Sequence, residues 1–238
     1  MEAIKFNLSG KLAHFKNPEN NYYIEFTYGN IHKPALLGLL GAMIGLRGRK
    51  QAKNLGYIEY YKKLKGLEIS IVPKKINFDR FIDESVNGTG FANDGFSQII
   101  RREFLENPEW DIYLMQGSVE TELWIKIKES LLTGITKYPI NLGGKKNSAF
   151  IKNVVTFNDI KNIEDSQIEC KCNSLIKTDN ILKFEKKILI EYLPTTLNEL
   201  TLYRKERFAV SDEDLCLKTD NIYFVDNKYL YFLPDVSQ

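Results

Sequence analysis

The chain has 238 residues, and 43% of them are hydrophobic, so it can bury a full core without disulfides or metal ions. Its 33 basic and 31 acidic side chains give a formal net charge of only +2. This balance excludes a uniformly basic protein that grips long duplex DNA unaided, so a nucleic-acid site has to be a local basic patch.

Cysteine and histidine content argues against a disulfide framework and against zinc. The three cysteines, Cys170, Cys172 and Cys216, are an odd number, which favours reduced thiols in a cytoplasmic protein. One residue separates Cys170 from Cys172, whereas paired zinc ligands are usually about two to four residues apart. Imidazole is available only from His14 and His32. We therefore expect no metal and no other cofactor.

The N-terminal sequence MEAIKFNLSGKLAHF has no basic region followed by an apolar run, so it does not resemble a secretory signal. The longest apolar stretch, Ala35 to Leu46, is too short to cross a bilayer. We expect a cytoplasmic protein with no membrane partner.

The first part of the chain alternates between strand and helix patterns. Ala3 to Leu8 places apolar residues at every second position, which predicts a strand with one buried face. Pro34 begins an apolar run with helical spacing, which predicts the first helix. The stretch from Leu67 to Pro73 alternates again and predicts the second strand.

A long excursion follows, since Lys74 to Phe96 contains the turn-forming pairs Asn87-Gly88 and Asp94-Gly95. Two strand-like runs come next, Gln98 to Leu105 and Asp111 to Met115, which are interpreted as a possible hairpin.

The second helix is predicted to begin at Ser118, a good capping residue, and to end at Gly134. Its apolar stripe consists of Leu123, Trp124, Ile127 and Leu131. The segment from Ile135 to Leu142 is then predicted to be a strand.

This order of elements predicts an α+β fold. Residues 1–150 fit a ferredoxin-like or RRM-like domain with an antiparallel sheet and a long insertion within residues 74–105. Residues 151–238 contain short β-type runs and predict a β-rich C-terminal extension.

Basic residues cluster at several places in the sequence. For any one cluster alone, a solvated surface is the commoner meaning, so only a shared location would make the clusters a site. The clusters are Arg47, Arg49, Lys50 and Lys53; Lys62, Lys63 and Lys65; Lys74 and Lys75; Arg101 and Arg102; and Lys145 and Lys146.

Three glycines, Gly38, Gly41 and Gly45, lie on roughly one face of the first predicted helix. Each costs about 1 kcal/mol relative to alanine, so a close approach of another group has to compensate. We interpret Gly41 as a packing position. For Gly38 and Gly45, packing and the approach of a nucleic-acid backbone both stay open.

Two further segments suit nucleic-acid contacts. Gly143 to Asn147 reads GGKKN and offers flexible backbone amides beside two ammonium groups, although its spacing is not that of a P-loop and an ordinary surface turn is the alternative. Phe91 and Phe96 lie close before Arg101 and Arg102, and single-stranded RNA sites combine aromatic and cationic side chains in this way. Both phenylalanines can equally anchor the insertion to the core.

These residues carry a resemblance to a known family. The residues that carry this likeness in the N-terminal part of the chain are Phe6, Leu8, Gly10, Ala13 and Phe15, then Thr27 and Tyr28, and then KPALLGLLGAMIGL at 33–46. They resemble the signature of the Cas-five family of CRISPR-associated proteins, members of the RAMP superfamily. The segment YPINLGGKKNSAF at 138–150 is similar to the later glycine-rich element of that family. The type I-B Cascade subunit is the variety that the chain resembles most.

The resemblance implies a non-catalytic, RNA-binding subunit of a CRISPR surveillance complex. Such a subunit holds the 5′ handle of the guide RNA, caps the backbone filament, and contacts the large subunit that reads target DNA. It also implies a projecting β-hairpin thumb within Lys74 to Leu105. The candidate RNA contacts are Lys33, Gly38, Gly45, Arg47, Arg49, Lys50, Lys53, Lys74, Lys75, Phe91, Phe96, Arg101, Arg102, Gly143, Gly144, Lys145 and Lys146.

Two other functions stay open. One branch of the family is a metal-independent ribonuclease that uses tyrosine, lysine and histidine, and here Tyr28, His32 and Lys33 lie within six residues. A lone histidine before a helix is more often structural. The second alternative is an assembly subunit whose basic clusters contact only acidic protein surfaces.

Overall fold

The computed structural model describes residues 2–19, 23–52, 56–88, 90, 97–163, 165–183, 188–198 and 202–234, with Gln51 and Ala52 described by their backbone alone. The helices are α1 (Lys33–Ile44), α2 (Arg49–Ala52), α3 (Glu59–Leu64) and α4 (Thr121–Thr133). The strands are β1 (Ala3–Ser9), β2 (Leu12–Ala13), β3 (Ile24–Glu25), β4 (Glu68–Pro73), β5 (Arg80–Asn87), β6 (Gln98–Glu106), β7 (Glu109–Met115), β8 (Phe150–Phe157), β9 (Lys161–Asn162), β10 (Gln167–Cys170), β11 (Ile176–Lys177), β12 (Leu189–Leu197), β13 (Tyr203–Val210), β14 (Leu215–Lys218), β15 (Ile222–Val225) and β16 (Lys228–Tyr231).

The centre of the fold is a four-stranded antiparallel sheet with the order β4-β7-β1-β8. With α1 after β1 and α4 after β7, this is the ferredoxin-like arrangement that the sequence predicts. The alternation in β1 buries Phe6, which pairs in register with Ile112 of β7, and Ile112 pairs in turn with Ile71 of β4. These side chains pack with Leu36 and Leu40 of α1 in the main hydrophobic core.

The second face of the central sheet is covered by the C-terminal part of the chain. Val72 and Tyr113 form a separate hydrophobic cluster with Leu230 and Phe232, which lie at the end of the β15–β16 hairpin. RRM domains usually stack bases on this face of the sheet. Because the face is buried here, it is not open to contacts of that kind.

The insertion forms the predicted hairpin. Strands β5 and β6 pair antiparallel from Arg80 opposite Leu105 to Asn87 opposite Gln98, and every residue of β5 is exposed. The hairpin, called the thumb below, therefore projects from the domain. The base of β6 also pairs with β2 and β3.

The predicted pairing of Gln98–Leu105 with Asp111–Met115 is wrong. Strand β7 lies between β1 and β4 in the central sheet, whereas β6 belongs to the thumb sheet. Between them Asn107 adopts a left-handed conformation with φ of 46°, and its N–H donates to the carbonyl of Lys11. The chain turns a corner here instead of folding back on itself.

Both predicted helices are present, with one correction. Helix α4 begins at Thr121, and Ser118 does not cap it; Glu120 is the N-cap residue and makes no side-chain capping bond. Gly134 ends the helix as predicted, with φ of 70°. Helix α1 begins at Lys33 because the Nδ1 atom of His32 accepts a hydrogen bond from the N–H of Ala35.

The segment from Ile135 to Leu142 is not the predicted strand. The N–H groups of Lys137 and Tyr138 donate to the carbonyls of Met43 and Ala42, so the segment is held against the C-terminal end of α1. The fourth strand of the sheet is β8, which runs to Phe157, past the predicted domain boundary at residue 150.

The remaining strands form three small sheets, with the orders β10-β14, β11-β13-β12 and β16-β15-β9, so the C-terminal extension is β-rich as predicted. The β12–β13 hairpin reaches back to the helices, where the N–H of Leu197 donates to the hydroxyl of Tyr61 over 2.8 Å. Within the described ranges, no helix is both long and apolar enough for a membrane span.

Candidate nucleic-acid interface

A groove with a volume of about 890 Å³ lies between α1 and the base of the thumb. Four separate parts of the chain supply its charged lining: the β2–β3 region, the start of α2, the thumb, and residues 143–146, called the GGKK loop below. The charged residues are Lys16, Glu25, Arg49, Arg102, Lys145 and Lys146. Five cations therefore face one carboxylate, and the groove has a strongly positive lining although the whole chain is nearly neutral.

The GGKK loop is fixed by short-range hydrogen bonds. The N–H of Leu142 donates to the carbonyl of Asn147 over 2.7 Å, and the buried side-chain amide of Asn147 donates back to the carbonyl of Leu142 over 3.2 Å. Both lysines of the loop, Lys145 and Lys146, are exposed. In the part of the chain that the structure describes, neither lysine has an acidic partner, so both ammonium groups stay available for a phosphate.

Glu25 organises the opposite wall. Its carboxylate accepts hydrogen bonds from Lys16, over 2.6 Å, and from Arg102. Burial raises the pKa of Glu25, but the hydrogen bonds and charges of Lys16 and Arg102 outweigh that effect and lower it below its ordinary value. Glu25 is therefore ionised and holds Lys16 and Arg102 at the rim of the groove. Its negative charge compensates part of their positive charge.

Arg49 enters the groove from the start of α2. Its guanidinium carbon lies 5.3 Å from the ring centroid of Tyr203, a residue of β13. The C-terminal extension thus supplies one wall of the groove. The neighbouring Arg47 and Lys50 are exposed but do not line the groove, and Lys53 lies outside the described residues.

The three glycines of α1 have different roles. A Cβ atom at Gly41 would lie 2.5 Å from the Cβ of Tyr60 in α3, so Gly41 is a packing position, as predicted. Gly45 ends α1 with φ of 85°, which explains this glycine without a ligand. Gly38 lines the groove, where an added Cβ would make only an ordinary contact of 3.5 Å with Tyr60.

Several predicted contact residues lie elsewhere. Lys33 is 2% exposed and donates to the carbonyl of Pro234 over 3.0 Å, so its ammonium group cannot reach a ligand in the groove. Lys74 pairs with the buried Asp111, Lys75 pairs with Asp79, and Arg101 pairs with Glu84 on the thumb. Phe91 and Phe96 lie outside the described residues.

The candidate nuclease residues do not converge on one cavity. His32 lines the groove, Tyr28 lines a different pocket, and Lys33 points to Pro234. Burial, and to a smaller extent the nearby Arg49, lowers the pKa of His32 to about 3. The ring is therefore neutral, and it serves as the cap of α1. No group of three or more possible metal-ligating side chains occurs among the residues described.

Sequence reasoning missed several residues that line the groove, among them His14, Lys16, Glu25, Phe104 and Tyr203. The Nδ1 atom of His14 lies 2.8 Å from the carbonyl oxygen of Glu103, and burial lowers the pKa of this histidine. Phe104 and Tyr203 are partly exposed aromatic residues. None of these residues belongs to a sequence cluster, so only their spatial proximity to the GGKK loop identifies them.

No protein-family model matches the sequence, and no curated protein sequence matches it. Solved structures match over nearly the whole chain. A chain of a structure described as a CRISPR RNA-guided surveillance complex has a TM-score of 0.52 at 10% identity, with 92% of each chain covered. A CRISPR protein from Archaeoglobus fulgidus has a TM-score of 0.52 at 11% identity, with 98% of this chain and 99% of that chain covered.

Likeness at such low identity defines the fold alone. The chain has the mixed α+β fold found in these CRISPR-associated proteins, with a ferredoxin-like core and a β-rich extension.

Proposed function

We propose that this chain is a non-catalytic RNA-binding subunit of a type I CRISPR surveillance complex, a Cascade subunit of the Cas-five family. It holds the 5′ handle of the guide RNA in the groove, caps the filament of backbone subunits, and contacts the large subunit that reads target DNA. The fold shared with CRISPR-associated structures supports the broad role. The resemblance of the α1 and GGKK segments to that family supports the finer assignment.

The observation that carries the proposal is the gathering of separately encoded cations in one groove. Lys16, Arg49, Arg102 and the two loop lysines are far apart in sequence, and yet they line one cavity with a single carboxylate. A structural role does not require this gathering, because cations that lie together repel one another. A polyanion relieves the repulsion, and phosphate contacts provide affinity that does not depend on sequence.

A single strand fits this site better than a duplex does. The cations line a groove between a helix and a hairpin, and partly exposed aromatic residues, Phe104 and Tyr203, lie among them. Aromatic side chains next to cations are the usual means of binding unpaired nucleotides. The covered sheet face leaves this flank as the site for such contacts.

The thumb supports the part of the proposal that concerns protein partners. On one face of the hairpin, Val86 pairs directly with Ile99, and Ile82 lies four residues before Val86 on the same face. These three side chains are 66%, 55% and 51% exposed, in that order. The Glu84–Arg101 ion pair separates Ile82 from Val86 and Ile99, so this face of the projecting hairpin mixes exposed apolar and charged side chains, as protein–protein interfaces do.

Incubation of the pure protein with 5′-labelled CRISPR repeat RNA in EDTA tests the proposal. We expect saturable binding at low salt, strong weakening as salt is raised, and an RNA that is recovered intact. A discrete cut that disappears in His32→Ala would establish the ribonuclease alternative instead. Absence of RNA binding together with co-purification of a backbone subunit would establish the protein-only assembly role.

A further inference from the structure

A second pocket of about 630 Å³ lies against the other side of the thumb base. On β6, Arg102 lines the groove, whereas the next residue, Glu103, lines this second pocket. Side chains of consecutive strand residues point to opposite faces, so the two cavities lie on opposite faces of the small thumb sheet. The lining residues used below are Glu19, Phe26, Tyr28, Arg80, Glu103, Glu191, Tyr192 and Lys205.

A series of side-chain contacts joins the two cavities. Arg49 lies over Tyr203 at 5.3 Å, and the ring of Tyr203 meets the ring of His32 at 5.3 Å. The His32 ring meets Tyr28 at 5.4 Å, and the ammonium group of Lys205 lies 5.5 Å from the centre of the Tyr28 ring. Tyr203 and Lys205 are two residues apart on β13, roughly 7 Å along the strand, so neighbouring parts of one bound strand can reach both cavities.

The charge of the second pocket differs from that of the groove. Its lining includes three carboxylates, Glu19, Glu103 and Glu191, against two cations, Arg80 and Lys205. Glu103 pairs with Arg80, and Glu191 accepts hydrogen bonds from the N–H of Gly29 and the side-chain amide of Asn30. Because each carboxylate oxygen can accept more than one hydrogen bond, the pocket disfavours a phosphate but can still accept N–H groups, such as the amino group of a base.

The walls of the second pocket suit a flat, partly apolar group. Tyr192 is 57% exposed and Phe26 is 37% exposed, so both rings offer open aromatic surface at this pocket. Arg207 lies over the Tyr192 ring at 6.0 Å, which makes the ring part of a cation–aromatic pair. Such pairs are surfaces on which bases stack.

One buried tyrosine forms part of the wall of the second pocket. Tyr28 is 2% exposed, and the ammonium group of Lys205 lies 5.5 Å from the centre of its ring. Burial raises the pKa of the Tyr28 hydroxyl, and the neighbouring Lys205 opposes that rise. Lys205 also pairs with Glu19 over 2.6 Å, so this cation is held at the wall of the pocket.

We propose that the second pocket binds one nucleobase of the RNA strand whose phosphates lie in the groove. The base stacks on Tyr192, and its N–H groups are directed to the lining carboxylates Glu103 and Glu191. This inference rests on the proposed function, because it assumes a bound RNA strand.

The test combines an abasic scan of the RNA with Tyr192→Ala. Labelled repeat RNAs, each with one abasic position near the 5′ handle, are titrated against the wild type and the variant by fluorescence anisotropy. We expect one position at which loss of the base weakens wild-type binding about tenfold, the usual effect of one stacked base. Tyr192→Ala should weaken the binding of the intact RNA by the same factor. The RNA that lacks the base at that position should bind the wild type and the variant with equal affinity.

Tyr57→Ala is the matched control, since Tyr57 is also an exposed tyrosine beside a cation, Lys62 at 4.6 Å, and lines neither cavity. It should leave every affinity unchanged. If Tyr192→Ala weakens the binding of every abasic RNA as much as that of the intact RNA, the two effects are independent. The base pocket is then refuted, while RNA binding by the groove stands. If the wild type does not bind RNA at all, the proposed function fails first, so the two failures are distinguishable.

Discussion

A Cβ atom built on Gly143 would lie 1.8 Å from the backbone carbonyl oxygen of His14. The N–H of His14 donates to the carbonyl of Leu142, next to this glycine. Gly143 itself has φ of 86°, a conformation that other residues rarely adopt. The start of the GGKK loop therefore presses against the β2 region without space for a side chain, and this contact places the loop lysines at the groove.

Gly143→Ala should unfold at lower urea concentration than the wild type and bind RNA more weakly, since the clash displaces the loop. Gly134→Ala is the control, because Gly134 also has positive φ, 70°, but its added Cβ meets nothing within 4 Å. Both variants carry the backbone cost of about 1–2 kcal/mol. Gly143→Ala should lose about 2 kcal/mol more through overpacking. Equal losses in the two variants would contradict the contact with His14.

Gly38→Ala and Gly41→Ala should have opposite effects on stability. Alanine is favoured over glycine by about 1 kcal/mol inside a helix, and at Gly38 the new Cβ has an ordinary contact at 3.5 Å, so this variant should be more stable. At Gly41 the new Cβ would lie 2.5 Å from Tyr60, and overpacking should cost about 1–3 kcal/mol. Urea unfolding measures both, and stabilisation by Gly41→Ala would refute the packing of α1 on α3.

His32 makes stability depend on pH. Its pKa is about 3 in the folded chain against an ordinary value of 6.5, so the unfolded chain binds the proton first as the pH falls. Stability is therefore lost below about pH 6.5, at up to about 1.4 kcal/mol per pH unit. His32→Asn keeps a side chain that can cap α1 but does not titrate. Between about pH 7 and about pH 5, urea unfolding should show about 2 kcal/mol more loss in the wild type than in His32→Asn. The same loss in both proteins would show that the ring protonates freely when folded.

The elements with strong local patterns could be predicted from the sequence. The alternation in β1 and the apolar stripe of α4 depend on nearby residues, and both elements are present. The strand predicted at Ile135–Leu142 is absent because contacts with residues distant in the sequence determine the conformation of this segment. The N–H of Lys137 bonds to Met43, a residue far away in the chain.

The candidate site was predictable only in part, for the same reason. The GGKK loop and Arg49 stand out in the sequence, but nothing there shows that Lys16 and Tyr203 lie beside them. Lys33 shows the opposite case: a lysine at the start of a helix suggests a surface position, and yet Pro234, 201 residues away, accepts its hydrogen bond in the interior. Charge clusters therefore suggest a site, and only the tertiary fold selects its members.

The central claim is that the groove binds RNA phosphates, and salt-dependent titration of repeat RNA tests it most directly. The double variant Lys145→Ala/Lys146→Ala is compared with a control double variant, Lys161→Ala/Lys218→Ala. The two control lysines are also exposed and line neither cavity, and their replacement removes the same charge. Two lost phosphate contacts should reduce the slope of log affinity against log salt by about 1.4 for a single strand. We predict this reduction, with weaker binding at low salt, for the loop pair and an unchanged slope for the control pair. Equal slopes in both double variants and the wild type would contradict the account.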